Sequence, residues 1–220
     1  MDGTGEFFQP FLSAAKAEFR TIIVRYPTDK PLAYSALTSL VASHLPKGVH
    51  FVLLAESFSG PVAISLAAGK PEGLVGLILC ASFAQNPRPG LRYLVPLLRH
   101  IPLRRLPDYL LSHLFLGRFA NPALIDKFKQ ILVKVDDVVL HQRLRAVLEV
   151  DVTDELNRIH VPSLYLTARE DRLVPSRARK PFQQLSSKWQ MKEITGPHLL
   201  MQSVPLEMVT ILQKFLESLR

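Results

Sequence analysis

An α/β fold, a mostly parallel sheet with helices on both faces, is the class this chain predicts, and three observations carry it. Short apolar runs recur that are rich in Val, Ile and Leu and continuous rather than alternating, as strands buried on both faces are. Stretches of helical periodicity separate them. One run passes through a turn of small residues directly into a helix, at Ala55-Glu56-Ser57-Phe58-Ser59-Gly60.

The runs at 21–25, 50–54, 75–80, 163–167 and 190–194 are expected to be five strands. Helices are expected over 32–45 between the first two and 60–68 between the next two. Two more are expected over 177–186 between the last two and 205–219 at the end. One interval breaks this rhythm. About 80 residues part the third strand from the fourth, and they open on Asn86-Pro87-Arg88-Pro89-Gly90. Prolines at 96, 102, 107 and 122 divide the stretch into short helices, expected at 91–98, 108–116, 122–134 and 138–148. The domain plan is therefore a core of 1–85 and 151–220 with a helical cap, 86–150, inserted in it. A cap over the carboxyl ends of a parallel sheet roofs the place where such sheets bind ligands. Its apolar residues Tyr93, Leu97, Leu111, Leu114, Phe115, Phe119 and Leu124 are expected to be mostly cap core, with a minority, which the sequence does not single out, lining an acyl pocket.

With 220 residues, 48% hydrophobic and 21% charged, the chain is long enough for one sizeable core. The lone Cys80 lies in an apolar run and has no partner for an internal disulfide, which suits a reducing, cytoplasmic compartment. No apolar stretch reaches membrane-spanning length, and the first residues lack the basic start of a signal peptide. No phosphate-binding glycine loop or zinc-like Cys/His spacing appears, so neither cofactor nor metal is expected. The net charge is +8. Six of those charges fall within 86–150, where eleven Lys/Arg face five Asp/Glu. They are dispersed and not interleaved with aromatics, which reads as a solvated basic face and argues against nucleic acid.

The turn at Ser57 carries the chemical argument. A strand, a sharp turn bearing a serine, and a helix form the layout that lifts a hydroxyl clear of a sheet. Only small residues two before and two after the serine avoid a clash; here they are Ala55 and Ser59. The same pattern also suits a tight strand-to-helix turn in any α/β protein. A serine nucleophile needs an imidazole, and the imidazole needs a carboxylate. Asp171 follows the 163–167 strand in Ala168-Arg169-Glu170-Asp171-Arg172-Leu173-Val174-Pro175. It is favoured over its neighbour Glu170 because Leu-Val-Pro pins that loop to the core. His198 sits in Gly196-Pro197-His198, after the last strand and before the closing helix, where core filling is a poor explanation. Histidines 44, 50, 100, 113, 141 and 160 read as surface or packing residues. The Phe58 amide is placed to hold an oxyanion, and Met1-Asp2-Gly3-Thr4-Gly5 reads either as the second donor loop or as a flexible tail.

Taken in order, the elbow, Asp171, and His198 before a closing helix resemble the α/β-hydrolase superfamily, in particular small esterases and lipases with a helical cap. The resemblance covers essentially the whole chain. It implies a serine hydrolase that cleaves carboxylic esters of short to medium acyl chains through an acyl-enzyme. It also implies that the amide of Met1 or Asp2 is the second oxyanion donor. A thioesterase or acyltransferase would use the same triad, and a non-catalytic binding protein would keep the scaffold. Relatives carry strands before this loop, whereas this sequence starts within it. An upstream extension, a minimal sheet in which 21–25 pairs beside 50–54, or a homodimer across the exposed edge would each account for that difference.

Overall fold

The computed structural model describes residues 1–100, 102–185 and 189–219, without the side chains of 94 and 98–100. Helix α1 (Gln9–Ala15) and helix α2 (Tyr34–Ala42) precede strand β1 (Phe51–Glu56). Helix α3 (Gly60–Ala68) leads to β2 (Leu74–Cys80). Helices α4 (Asp108–Leu111), α5 (Pro122–Leu132), α6 (Asp137–Glu149) and α7 (Thr153–Leu156) lie between β2 and β3 (Ser163–Ala168). Helix α8 (Lys180–Gln183), β4 (Trp189–Ile194), α9 (Leu200–Ser203) and α10 (Pro205–Glu217) complete the fold.

The sheet is parallel throughout, in the order β1-β2-β3-β4. Ala55 pairs with Leu79, Leu79 with Tyr165, and Tyr165 with Met191, so one register runs across all four strands. Every crossover moves the chain one strand in the same direction. Right-handed connections then put α3, α7 and α8, the helices that pack on the sheet between successive strands, on one face. There Ala63, Ile64 and Ala67 of α3, Leu156 of α7 and Phe182 of α8 pack on Leu77, Leu79 and Tyr165. The opposite face carries Ile78, Cys80, Leu164 and Leu166, covered by Phe11 of α1 and by Met208, Ile211, Leu212 and Phe215 of α10. Successive strand residues thus face opposite layers, as the two-residue period requires.

Two expectations about the strands need correction. Residues 21–25 form no strand. They run extended over the α2 side, where Val24 packs beside Tyr26, Leu37 and Phe58, and Thr21, Ile22 and Arg25 stay exposed. A β-branched run is consistent with strand or with extended coil, and only a neighbouring backbone makes it a strand. The last strand is also not buried: Gln190 to Glu193 are exposed, so β4 is an edge. Its Gln, Lys and Glu are the side chains an edge tolerates.

The long connection after β2 is helical, as its proline-broken periodicity predicts. It departs and returns at one place: Gln85 bridges Asp151, the Asn86 amide donates to the Val150 carbonyl at 2.9 Å, and the Val152 amide donates to that of Ala84 at 2.8 Å. Its first segment forms 3-10 turns over Pro89–His100 rather than an α-helix. Pro96 removes an amide from the middle of that segment. The α4 helix widens into a π turn at Ser112–Leu116. Helix α5 starts where its sequence says it should, with Pro122 in the first turn and Asn121 capping the Leu124 amide at 2.9 Å. Among the described residues, no helix is long and apolar enough to cross a membrane.

Candidate active site

Ser57 is the first residue after β1 and has φ 53°, a left-handed backbone that is strained for a non-glycine residue. The strain is held from several sides. The Ser82 hydroxyl donates to the Ser57 carbonyl at 2.8 Å, and the Tyr165 hydroxyl donates to the Ser82 carbonyl at 2.8 Å. Gly60 lets the next turn close over this point, since a Cβ there would lie 1.6 Å from Ser82 Oγ. Phe58 turns its ring into the core, stacked on Tyr34 at 4.8 Å and edge-on to Tyr26 at 6.3 Å. Its backbone consequently stays at the positive end of the helical run that starts at Ser57.

Three side chains from three strand ends converge here. Ser57 Oγ lies 2.6 Å from His198 Nε2, and His198 Nδ1 lies 2.9 Å from Asp171 Oδ2. An ionised carboxylate can only accept, so Nδ1 carries the proton, Nε2 is the acceptor, and the serine hydroxyl donates to it. The second oxygen of Asp171 accepts the amides of Leu173 at 2.9 Å and Val174 at 2.8 Å, which fixes the carboxylate plane. His198 and Asp171 are both almost wholly buried. Glu170, the competing acid, turns away to pair with Arg118 at 2.8 Å. A cavity of about 10 Å³ beside Asp171, lined in part by Thr167, Tyr165 and Arg179, has room for a single water. The ring of Phe115 stands edge-on to His198 at 6.1 Å, and Phe128 links Phe115 to Phe7.

The first five residues form a tight loop rather than a tail. Asp2 accepts from the Thr4 amide at 2.9 Å and from its hydroxyl at 2.7 Å. The Tyr26 amide donates to the Gly3 carbonyl at 2.8 Å, and the Tyr26 hydroxyl reaches Ser59 Oγ at 3.1 Å, so the loop is tied to the elbow through Tyr26. Arg143 of α6 closes it from the other side. It is fully buried, and it donates to the carbonyls of Met1 at 2.7 Å, Asp2 at 2.8 Å and Pro27 at 2.7 Å. Gly3, at φ +76°, leaves the space: a Cβ would come within 2.9 Å of Arg143 Nη1.

Sequence reasoning passed over Arg143, Ser82, Tyr26 and Glu56. Two of them carry a signal. Arg143 falls on the same helical face as Val139, Leu140 and Ala146, where an apolar residue is due. Glu56 puts a carboxylate at the buried end of an apolar strand. Burial pushes that carboxyl above the usual range, partly offset by hydrogen bonds from Gln202 and the Met201 amide. Cys80, buried as expected, has its thiol pushed well up by the same burial, with the Glu56 charge adding to the effect. Among the described residues, no three His, Cys, Asp or Glu are grouped as metal ligands.

Comparisons with known proteins agree with this architecture. A curated relative, the biotin biosynthesis bifunctional protein BioHC of Cellvibrio japonicus, is 28% identical over 214 residues. The match takes in 88% of this chain but 40% of that protein, so the chain spans less than half of its length. The structure of an esterase from Exiguobacterium antarcticum superposes with a TM-score of 0.82 at 17% identity, covering 98% of this chain and 88% of the other. An enol-lactonase from Burkholderia xenovorans LB400 gives 0.79 at 18% identity, with 98% and 88% covered. At such identities these likenesses speak for the fold alone. The model of the alpha/beta hydrolase family matches residues 3–211, nearly the whole chain, and the chain belongs to that family.

Proposed function

We propose that this hydrolase cleaves carboxylic esters, with Ser57 as nucleophile, His198 as general base and acid, and Asp171 as the group that orients and stabilises the imidazolium. The single observation that carries the reading is the continuous chain of hydrogen bonds from Ser57 Oγ through His198 to Asp171, at 2.6 and 2.9 Å. Ser57 attacks the acyl carbonyl while Nε2 takes its proton. The Phe58 amide and an amide of the Met1–Asp2 loop receive the oxyanion. The proton then passes to the leaving alcohol, and water releases the acyl group by the same steps in reverse roles.

Residues 86–150 are the cap in this reading, because the chain leaves and re-enters the core at adjacent backbone positions. The aromatic row Phe7, Phe128 and Phe115 runs toward His198. Phe7 at its far end also lines a groove of about 330 Å³ together with Pro10, Leu124 and Lys127. Short to medium acyl chains match that apolar lining. A small-molecule ester is thus the partner of this reading, in a cytoplasmic setting that suits the reduced Cys80. A homodimer across the β1 edge would cover Leu54, which is 37% exposed, and size-exclusion light scattering at micromolar concentration decides it.

The test is Ser57→Ala against p-nitrophenyl butyrate. Turnover should fall by about 10⁴-fold or more with the melting temperature unchanged. Comparable turnover from the variant rejects Ser57 as nucleophile. An acyl thioester tested in parallel separates an esterase from a thioesterase.

A further inference from the structure

Glu56 takes no part in the proton relay, yet it adjoins it in the chain. It is the residue before Ser57, its side chain is buried, and across the sheet its register partner is Cys80. Its two oxygens have separate partners. Oε1 accepts from the Met201 amide at 3.2 Å, with Cys80 Sγ 3.9 Å away, and Oε2 accepts from Gln202 Nε2 at 2.9 Å. Met201 and Gln202 belong to α9, which starts two residues after His198. The other amide atom of Gln202, Oε1, is buried with no hydrogen-bond partner.

An isosteric apolar side chain would spare the desolvation of a buried charge, so packing does not account for a carboxylate here. Its geometry does. His198 lies outside any helix or strand, in the connection between β4 and α9. The bond to Asp171 and the buried surroundings of the ring hold the imidazole relative to its own loop, so its distance from Ser57 depends on where that loop is held. A second anchor is needed to hold Nε2 within a few tenths of an ångström of the serine, the tolerance that such sites require. From this we infer that Glu56 is a positioning residue: its carboxylate clamps the first turn of α9 to the elbow and so fixes His198 at hydrogen-bond distance from Ser57. The inference rests on the reading of Ser57 and His198 as nucleophile and base.

Glutamine and alanine at this position separate the clamp from mere bulk. In Glu56→Gln the carbonyl oxygen still accepts from the Met201 amide. The new NH₂ donates to Gln202 Oε1 once that amide turns over, so the clamp persists. Glu56→Ala removes it. The experiment follows wild type, both variants and Ser57→Ala by fluorophosphonate labelling with intact-mass readout and by steady-state hydrolysis of p-nitrophenyl butyrate. Near-UV circular dichroism reports the fold. Glu56→Ala should label about 30-fold more slowly, with kcat reduced in step and KM within threefold of wild type. Glu56→Gln should recover to within about fivefold of wild type. Equal labelling by wild type and folded Glu56→Ala overturns the clamp alone, as does an equal loss in the glutamine variant. If Glu56→Ala does not fold, Gln202→Leu decides. It breaks one of the two bonds, and kcat reduced at constant KM supports the clamp while unchanged kcat overturns it. A wild-type protein that is never labelled at Ser57 overturns the nucleophile reading and the clamp with it.

Discussion

Ser57, Asp171 and His198 follow three strands of one hydrogen-bonded sheet, whereas residues 86–150 consist of short helices held by small apolar clusters. On the sheet side, Leu77, Leu79, Cys80 and Leu166 have no exposed surface. On the other side Tyr93 is 85% and Tyr109 74% exposed. A parallel ladder passes position from strand to strand through backbone bonds that no side-chain change breaks. Short helices depend on the side chains between them and shift when those change. Chemistry that tolerates little displacement belongs on the first kind of support, and fitting to a substrate belongs on the second. Arg143 is the exception, a residue of α6 that reaches three backbone carbonyls of the loop at 1–3 and of Pro27.

The largest expected effect tests the sheet side alone. Asp171→Asn keeps the shape and the acceptor for the Leu173 and Val174 amides but gives His198 a neutral partner that no longer selects the Nδ1–H tautomer. We expect kcat to fall by about 10⁴-fold with little change in KM or melting temperature. A loss below tenfold would mean that the imidazole is oriented by something other than Asp171.

Next in size is the exception. Arg143→Met keeps an unbranched apolar stem and removes all three hydrogen bonds. Three carbonyls are then left in a dry interior, so both stability and the shape of the Met1–Asp2 loop should suffer. The expected loss in kcat is about 10²-fold, the scale of one oxyanion donor, together with a lowered melting temperature. Affinity for a trifluoromethyl ketone, which forms the oxyanion on Ser57, should drop in parallel. If the melting temperature falls and that affinity does not, Arg143 serves the fold and the two regions separate cleanly.

Arg143 also marks where legibility in the sequence ends. The four strands, the elbow and the order serine, acid, base rest on local patterns: apolar runs, small residues about Ser57, and loops at strand ends. Those patterns survive folding because the sheet imposes them. Residues 21–25 have the same composition as a strand, but no neighbouring backbone meets them. The carbonyl clamp of Arg143 joins residues more than a hundred positions apart, and Glu56 joins β1 to α9 over a similar span. Such contacts are properties of the assembled fold, and in the sequence each leaves only a polar residue where an apolar one is due.

A smaller effect sharpens the comparison from the side of the short helices. Phe115→Ala opens the space beside His198 without touching a hydrogen bond of the relay. With p-nitrophenyl octanoate, kcat/KM should fall by about tenfold, chiefly through KM, and with the acetate by much less. An equal loss on both esters would place Phe115 with the chemistry and not with the fitting.

The smallest effect concerns stability and runs against intuition for a residue tied to the mechanism. Burial raises the Glu56 carboxyl above its ordinary value, with Gln202, the Met201 amide and the His198 imidazole pulling the other way. An acid whose folded pKa is raised binds more protons folded than unfolded between its two pKa values, so its presence lowers stability as pH rises through that window. The window opens near the unfolded value of about 4.3. Below it, wild type and Glu56→Gln are both neutral at this position and should melt together. Above the folded pKa the glutamine variant no longer buries a charge, and it should melt a few degrees higher than wild type. Melting curves taken from pH 4 upward read this directly, as a gap between the two proteins that opens with rising pH. A variant that becomes less stable than wild type as pH rises would mean that the two hydrogen bonds to the carboxylate outweigh its desolvation. Higher stability in Glu56→Gln, with kcat within about fivefold of wild type, is the outcome expected of a group kept for the alignment of His198 rather than for the fold.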